Sequence, residues 1–227
     1  MCGRYVLKAT LQQLNKEYGA EPEGVFTIEE NYNVAPSFHM PVVTQKAERR
    51  TIDKYRWGLV PFWADSVNTG YSMINARSES LSSKKSFSRP FKSQRCVVPA
   101  TGFYEWKKAG KSKVSHFITQ KSSDLMHFAG LYDQWEAESE EMVNSFTIIT
   151  TEANKPIEEL HDRMPAMLLP EEFDVWLDPK NQDTDGLQDL LRPWPDDDIE
   201  LYRVSQAVNN VRNNGRELIK PERDLFS

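Results

Sequence analysis

Apolar residues along the chain fall into short runs that predict a few short helices and many short strands. Apolar positions at helical spacing, closed by Gly19, predict an amphipathic helix over residues 9–19, and the polar residues 20–31 are predicted to form a loop. Runs rich in β-branched and aromatic residues predict strands at 42–43, 51–56, 95–98, 114–120, 125–132 and 146–151.

The second half of the chain follows the same plan. Residues 107–113 are predicted to be a loop between two strands. Pro170 is expected to start a helix, and a second short helix is expected to end before Pro193. A last strand is predicted at 200–204. Strands without a βαβ rhythm favour one α+β domain over residues 1–227, with a mostly antiparallel, barrel-like sheet and a few short helices.

Composition excludes several classes of protein. The chain has 227 residues, 39% hydrophobic and 27% charged, which is typical of a globular domain and not of a disordered chain. No apolar run approaches the length of a membrane helix, and the first residues lack the plan of a signal peptide, so we expect a cytoplasmic protein with no membrane partner. Two cysteines and four histidines without zinc spacing predict no metal and no cofactor, and nothing indicates more than a monomer.

The net charge of −6 conceals an uneven distribution of charge. Residues 77–113 carry ten basic side chains against only Glu79 and Glu105, whereas residues 171–200 are strongly acidic. The basic segment is a candidate phosphate-binding face, and the acidic segment is expected to be a solvated part of the same domain. Charge alone favours the alternative that both segments are ordinary solvated surfaces.

Cys2 offers an unusual chemistry, because methionine is normally removed before a small residue. Removal of Met1 would leave an amine and a thiol on adjacent carbons, with reference pKa values of about 8 and about 8.5. An aldehyde condenses with such an amine to a Schiff base, and the thiol then closes a five-membered thiazolidine ring. Both groups are expected to supply their nucleophilic forms near neutral pH. Cys2 can also be incidental, as a cysteine at this position usually is.

Four polar residues stand in otherwise apolar motifs. Asn33 lies in a predicted turn and Asn75 beside Arg77 in a short motif, where each can serve a site or the backbone. Glu105 lies among aromatic residues, which suits proton shuttling because desolvation disfavours its charged form; the alternative is a surface acid paired with a neighbouring lysine. His161 is a candidate acid or base, although a lone histidine is more often structural.

Taken together, these motifs resemble the SRAP family, the SOS-response-associated peptidases that are also described as abasic-site-crosslinking proteins. The resemblance runs in order through MCGRY, NYNVAP, RWGLVPFWA, MINARSES, RCVVPATGFYEW, HDRMP and SQAVNNVRNNG, from Cys2 to about Gly215. It implies an α+β fold with a barrel-like sheet and a basic groove for single-stranded DNA that contains abasic sites.

The resemblance also implies roles for individual residues. Cys2 would be the nucleophile that forms the thiazolidine, and Asn75 would hold its amine. Glu105 would shuttle protons, and His161 would help to open the deoxyribose. DNA contacts are implied for a further set of residues: Arg4, Asn33, Pro36, Trp63, Arg77, Lys85, Trp106 and Arg163.

Two departures and two other functions remain open. Some relatives have paired tryptophans where this chain has Trp63 and Ala64, and Lys85 keeps a charge but loses the two-point geometry of an arginine. An N-terminal-nucleophile cysteine peptidase or amidohydrolase would also expose Cys2. A plain single-strand-binding module would bind DNA without needing Cys2, and strand nicking by a lyase reaction is a further possibility.

Overall fold

The computed structural model of the chain describes residues 2–110, 112–137 and 139–222. The strands are β1 (Tyr5–Leu7), β2 (Glu21–Pro22), β3 (Asn31–Val34), β4 (His39–Lys46), β5 (Arg49–Trp57), β6 (Asn75–Arg77), β7 (Arg95–Ala100), β8 (Gly102–Ala109), β9 (Ser112–Gln120), β10 (Met126–Glu136), β11 (Met142–Glu152), β12 (Arg163–Pro165) and β13 (Ile199–Arg203). The helices are α1 (Leu11–Tyr18), α2 (Lys85–Ser93), α3 (Lys155–Glu158), α4 (Phe173–Leu177) and α5 (Thr184–Asp189).

Five strands close into a barrel. The antiparallel order β11, β10, β7, β4, β5 returns on itself because β5 pairs with β11 in parallel, with Arg56 opposite Ser145 and Trp57 opposite Phe146. Closure removes the exposed strand edges that an open sheet would present. The short strands β6 and β12 both pair with β11, which places the polar residues near their ends at one side of the barrel.

A second sheet packs on the barrel and carries the N-terminal strand. Its antiparallel order is β13, β9, β8, β1, β3. Aromatic rings join the two layers: Tyr5 of this sheet meets Trp57 of the barrel at 5.1 Å between ring centroids, and Phe103 meets Phe128 at 5.9 Å. Edge-on pairs of this kind add to the hydrophobic contribution of burying both rings.

The acidic segment belongs to the same body. Trp176 of α4 donates a hydrogen bond of 2.9 Å from its indole to the Cys96 carbonyl in the barrel, and Phe173 packs on Tyr18 of α1. Cys96 is wholly buried, as its apolar surroundings in sequence predict. Within the described ranges, no helix is long and apolar enough to cross a membrane.

The α+β class and the mostly antiparallel, barrel-like sheet are confirmed. The predicted loop at 107–113 is wrong, because β8 continues to Ala109 and β9 begins at Ser112. Between them, Gly110 has a φ of 62°, and residue 111 lies outside the described residues. Helix α2 and strand β1 were not predicted.

Candidate active site and nucleic-acid interface

Cys2 lies where the N-terminal strand meets the barrel. Strand β1 is held on both sides, with Tyr5 opposite Val34 of β3 and Phe103 of β8, so the residues just before it are drawn into the interior. Cys2 is wholly buried, and its sulfur lies 3.7 Å from the Arg4 carbonyl oxygen. The chain therefore presents its candidate nucleophile at an interior junction and not on a loose tail.

Asn75 reaches Cys2 from the barrel side of this junction. Its side-chain Nδ2 donates a hydrogen bond of 2.8 Å to the Cys2 carbonyl. The other end of the same amide, Oδ1, is buried and has no hydrogen-bond partner among the described residues. A buried acceptor without a donor costs free energy, so this oxygen is available to a donor at Cys2.

The surroundings of Cys2 control its ionisation. Burial raises the pKa of the Cys2 thiol well above its ordinary value, and the negative charge of Glu105 raises it further. The thiol is therefore protonated at neutral pH. This differs from the sequence-based expectation of a ready thiolate, which took no account of burial. A proton acceptor near Cys2 is needed before its sulfur can attack.

Glu105 is buried beside Cys2 and also faces a cleft. It lies on β8 opposite His116 of β9 and is only 3% exposed, so it is not a surface acid. Lys107 pairs with Glu159 at 3.2 Å. A cleft of about 660 Å³ is lined by Glu105, Trp106, Lys107, Lys108, Lys113, Glu158, Glu159, Leu160, His161 and Asp162.

His161 lines the same cleft and finds partners in both protonation states. Its Nδ1 lies 3.0 Å from the backbone nitrogen of Arg163, which donates to the neutral ring. The same Nδ1 lies 2.7 Å from an oxygen of Asp162, which suits the protonated ring. An imidazole that is oriented in either state is fit to give and take a proton.

Arg163 is engaged within the protein. Its guanidinium makes a two-point ion pair with Glu79, at 3.0 and 2.8 Å, and donates to the Thr150 carbonyl at 2.5 Å. Such pairing fixes the strand β12 from which His161 is oriented. The implied phosphate contact of Arg163 remains a prediction, and in this conformation the residue is only 7% exposed.

Arg4 and Asn33 contact one another. Arg4 donates to the Asn33 side-chain oxygen at 2.8 Å and to the Val208 carbonyl at 3.0 Å. The Asn33 Nδ2 in turn lies within hydrogen-bonding distance of three carbonyls of the C-terminal segment, at Val208, Asn210 and Asn213. We call residues 205–214 the C-terminal loop. Its position next to β1 depends on these two side chains.

Trp106 is held by the same C-terminal loop. Its indole nitrogen donates to the Asn209 side-chain oxygen at 2.7 Å. Because side chains alternate along β8, Trp106 and Tyr104 lie on one face of the strand and Glu105 lies on the other. Trp106 and Glu105 nevertheless both line the cleft. Asn209 was missed by the sequence reasoning: it lies in a motif that supports the resemblance but received no role there.

The remaining predicted DNA contacts lie at the surface. Arg77 is exposed and shares a face of β6 with Asn75, since Ala76 between them is buried. Pro36 is half-buried in the turn after β3. Trp63 is 37% exposed, and the Lys85 ammonium lies 4.5 Å from its ring centroid. The structure thus brings Trp63 and Lys85 together, and it brings Cys2, Asn75, Glu105 and His161 to one region.

The chain is similar to known proteins over most of its length. The family model described as SOS response associated peptidase (SRAP) matches residues 1–211. A Bacillus subtilis protein named "Abasic site processing protein YoqW" is 44% identical, over 97% of this chain and 99% of its own length. The mouse protein named "Abasic site processing protein HMCES" is 34% identical, over 84% of this chain and 65% of its own length.

Solved structures agree on the fold. A crystal structure of a protein from Bacteroides thetaiotaomicron superposes with a TM-score of 0.87 at 26% identity, covering 97% of this chain and all of that one (100%). A second crystal structure, of a protein from Bordetella bronchiseptica, has a TM-score of 0.76 at 21% identity and covers 90% of this chain and 100% of its own. At this low identity the similarity supports the fold alone.

Proposed function

The chain belongs to the SRAP family, and from that premise we propose that it binds single-stranded DNA and crosslinks itself to abasic sites through Cys2 once Met1 has been removed. The observation that supports the proposal is the Asn75 amide: its nitrogen donates to the Cys2 carbonyl, and its oxygen is buried without a hydrogen-bond partner among the described residues. That oxygen suits the amine that appears on Cys2 when Met1 leaves.

The first step is formation of a Schiff base. An abasic deoxyribose is closed for most of the time, and protonation of its ring oxygen by His161 promotes opening to the aldehyde. The free amine of Cys2 attacks the aldehyde carbon, forming a C–N bond. Loss of water from this adduct gives the iminium, with Glu105 and His161 able to move the protons. An amide nitrogen, as in the chain that retains Met1, cannot make this bond.

The second step is ring closure by sulfur. Because the raised pKa keeps the Cys2 thiol protonated, its proton must leave as the C–S bond forms, and the neighbouring Glu105 carboxylate is the acceptor. The electron pair of the C=N bond moves to nitrogen, so the product is a neutral thiazolidine. Closure also removes the iminium from which β-elimination would nick the strand. We therefore propose crosslinking as the main outcome and lyase cleavage as a minor one.

The test is a gel assay with protein shown by intact mass to lack Met1. Incubation with a single strand that holds one abasic site is expected to give an adduct that survives denaturing electrophoresis. Cys2→Ala should abolish it, and Cys96→Ala, which removes the other buried thiol, should not. Absence of the adduct, or its persistence in Cys2→Ala, would sink the proposal. Turnover of peptides without DNA would favour the peptidase instead.

The setting of the reaction is part of the proposal. We infer a monomer that acts in the cytoplasm during the response to DNA damage, where the adduct shields the lesion from lyases and nucleases. Preference for single strands follows from the need to reach an unstacked sugar. An abasic site inside a duplex should compete poorly with the same site in a single strand, and size-exclusion chromatography should give the mass of one chain.

A further inference from the structure

The neighbouring exposed rings of Phe62 and Trp63 are each in contact with a basic side chain of helix α2. Arg89 lies 4.3 Å from the ring centroid of Phe62, beside the pairing of Lys85 with Trp63. Phe62 is 52% exposed and Trp63 is 37% exposed, so the two rings form one contiguous exposed apolar patch, a feature that marks interaction sites. We call Phe62, Trp63, Lys85 and Arg89 the aromatic–cation block.

The two cations are in register with the two rings. Lys85 and Arg89 are four residues apart on α2, so they lie on one face about 6 Å apart along the axis. The opposite face of α2 is buried through Phe87, Pro90 and Phe91. The helix contains no acidic residue, so all charges on its outer face are positive.

A buried carboxylate holds the two halves of the block in place. Asp133, 1% exposed, accepts a hydrogen bond of 3.1 Å from the backbone nitrogen of Phe62 and one of 3.3 Å from the side chain of Gln94, the residue that ends α2. Trp135 also donates to the Ala64 carbonyl at 2.6 Å. The turn with the rings and the helix with the cations are therefore fixed to the same strand.

We propose that the aromatic–cation block binds two consecutive unpaired nucleotides of the DNA strand outside the abasic site, one on Trp63 with Lys85 and one on Phe62 with Arg89. The inference rests on the proposed function in taking single-stranded DNA as the partner. Its new element is the second nucleotide position, at Phe62 and Arg89. An apolar ring beside a cation matches a nucleotide, which joins a flat base to a phosphate charge.

The aromatic–cation block contains two adjacent ring–cation pairs, and this repetition favours unpaired DNA over other partners. Bases expose their faces only when the strand is not in a duplex, and two adjacent rings with two adjacent cations match two adjacent nucleotides. Stacking on aromatic rings tolerates any base, so the block should add affinity without adding sequence preference.

The test measures binding of undamaged oligothymidine by fluorescence anisotropy, so that it does not depend on the covalent step. Phe62→Ala is expected to weaken binding of a long oligonucleotide by about tenfold. Arg89→Ala should weaken it less and should lower the slope of log affinity against log salt by about 0.7. In the double variant the two losses should combine to less than their product, because both remove the same nucleotide.

Matched controls are available elsewhere on the surface. Val175→Ala removes an exposed apolar side chain of α4, 49% exposed, and Lys16→Ala removes an exposed cation of α1; neither should change binding. Phe62 and Arg89 variants that bind like these controls overturn the inference. So does an equal loss for a blunt duplex, or a loss that appears only for an acidic peptide. If crosslinking fails while these losses are seen, the proposed reaction is wrong and the block stands.

Discussion

Arg4 donates a hydrogen bond of 2.8 Å to the side chain of Asn33, so two residues expected to face DNA hold each other. Through this pair the N-terminal strand is tied to the C-terminal loop, since both side chains also bind the Val208 carbonyl. The loop in turn orients Trp106 through Asn209. A substitution at Asn33 should therefore act first on the protein and only secondarily on DNA.

We predict that Asn33→Ala loosens the C-terminal loop. The Asn33 amide is 1% exposed and faces three loop carbonyls, so its loss should lower the free energy of unfolding by about 1–3 kcal/mol. Limited trypsin digestion should cut faster after Arg212, which is exposed in this loop. Asn144→Ala, on the barrel, is the control. An Asn33→Ala protein with unchanged digestion but weaker DNA binding would show that Asn33 contacts DNA directly.

We predict that Asn75 acts through both ends of its amide. Asn75→Ala removes the donor to Cys2 and the buried acceptor, and should slow crosslinking by about tenfold to a hundredfold, as for one or two lost buried hydrogen bonds. Asn75→Asp keeps an acceptor for the amine and should retain part of the rate. Single-turnover kinetics at saturating DNA measure both. Equal rates for Asn75→Asp and Asn75→Ala would argue that only the donor matters.

We predict that Glu105 has opposite effects on two reactions of Cys2. The charge of Glu105 helps to raise the pKa of the Cys2 thiol, so Glu105→Gln should increase the thiolate fraction and speed alkylation by iodoacetamide a few-fold. The same variant should slow crosslinking, since it removes the proton acceptor. In the Cys96→Ala background, which leaves one thiol, alkylation should still rise through pH 10 without a plateau. Parallel changes in the two rates would contradict a shuttling role.

Sequence patterns predicted β10 and β11 of the barrel and β9 of the second sheet, because 125–132, 146–151 and 114–120 combine β-branched and aromatic residues with sufficient length. Helix α2 was not predicted: Pro90 and the serines of this segment are typical of loops, although Phe87, Pro90 and Phe91 lie at helical spacing. Barrel closure was beyond prediction: the parallel pairing of β5 with β11 joins segments about ninety residues apart, and no local pattern encodes it.

In the candidate site, too, some features could be predicted from the sequence and others could not. Cys2 was predicted from the chemistry that removal of Met1 would expose, and Asn75 and Glu105 were predicted because they are polar residues in otherwise apolar motifs. The partners of the arginines were not predictable, since a guanidinium suits a phosphate and a carboxylate equally well. The resemblance implies a DNA contact for Arg163, which stays a prediction, and nothing in the sequence indicates that its guanidinium pairs with Glu79 in the fold.

We predict that His127 makes the fold sensitive to acid. Burial lowers the pKa of His127 to about 4 from 6.5, and the ring accepts a hydrogen bond from Tyr18 at 2.7 Å between the hydroxyl and Nδ1. Between these two pH values the unfolded chain binds a proton that the folded chain does not, so stability falls as pH falls through this window, by about 3 kcal/mol in all. Below about pH 4 both states are protonated and this loss is complete.

Urea unfolding at pH 7, 5.5 and 4.5 measures the effect of His127. His127→Gln keeps an acceptor for the Tyr18 hydroxyl but cannot titrate, so its stability should change less over this range than that of the unsubstituted protein. Some slope should remain, because burial also lowers the pKa values of His39 and His116. Tyr18→Phe is the matched control: it removes the same hydrogen bond, leaves His127 buried, and should keep the full pH dependence. Equal slopes for His127→Gln and Tyr18→Phe would exclude His127 as the source.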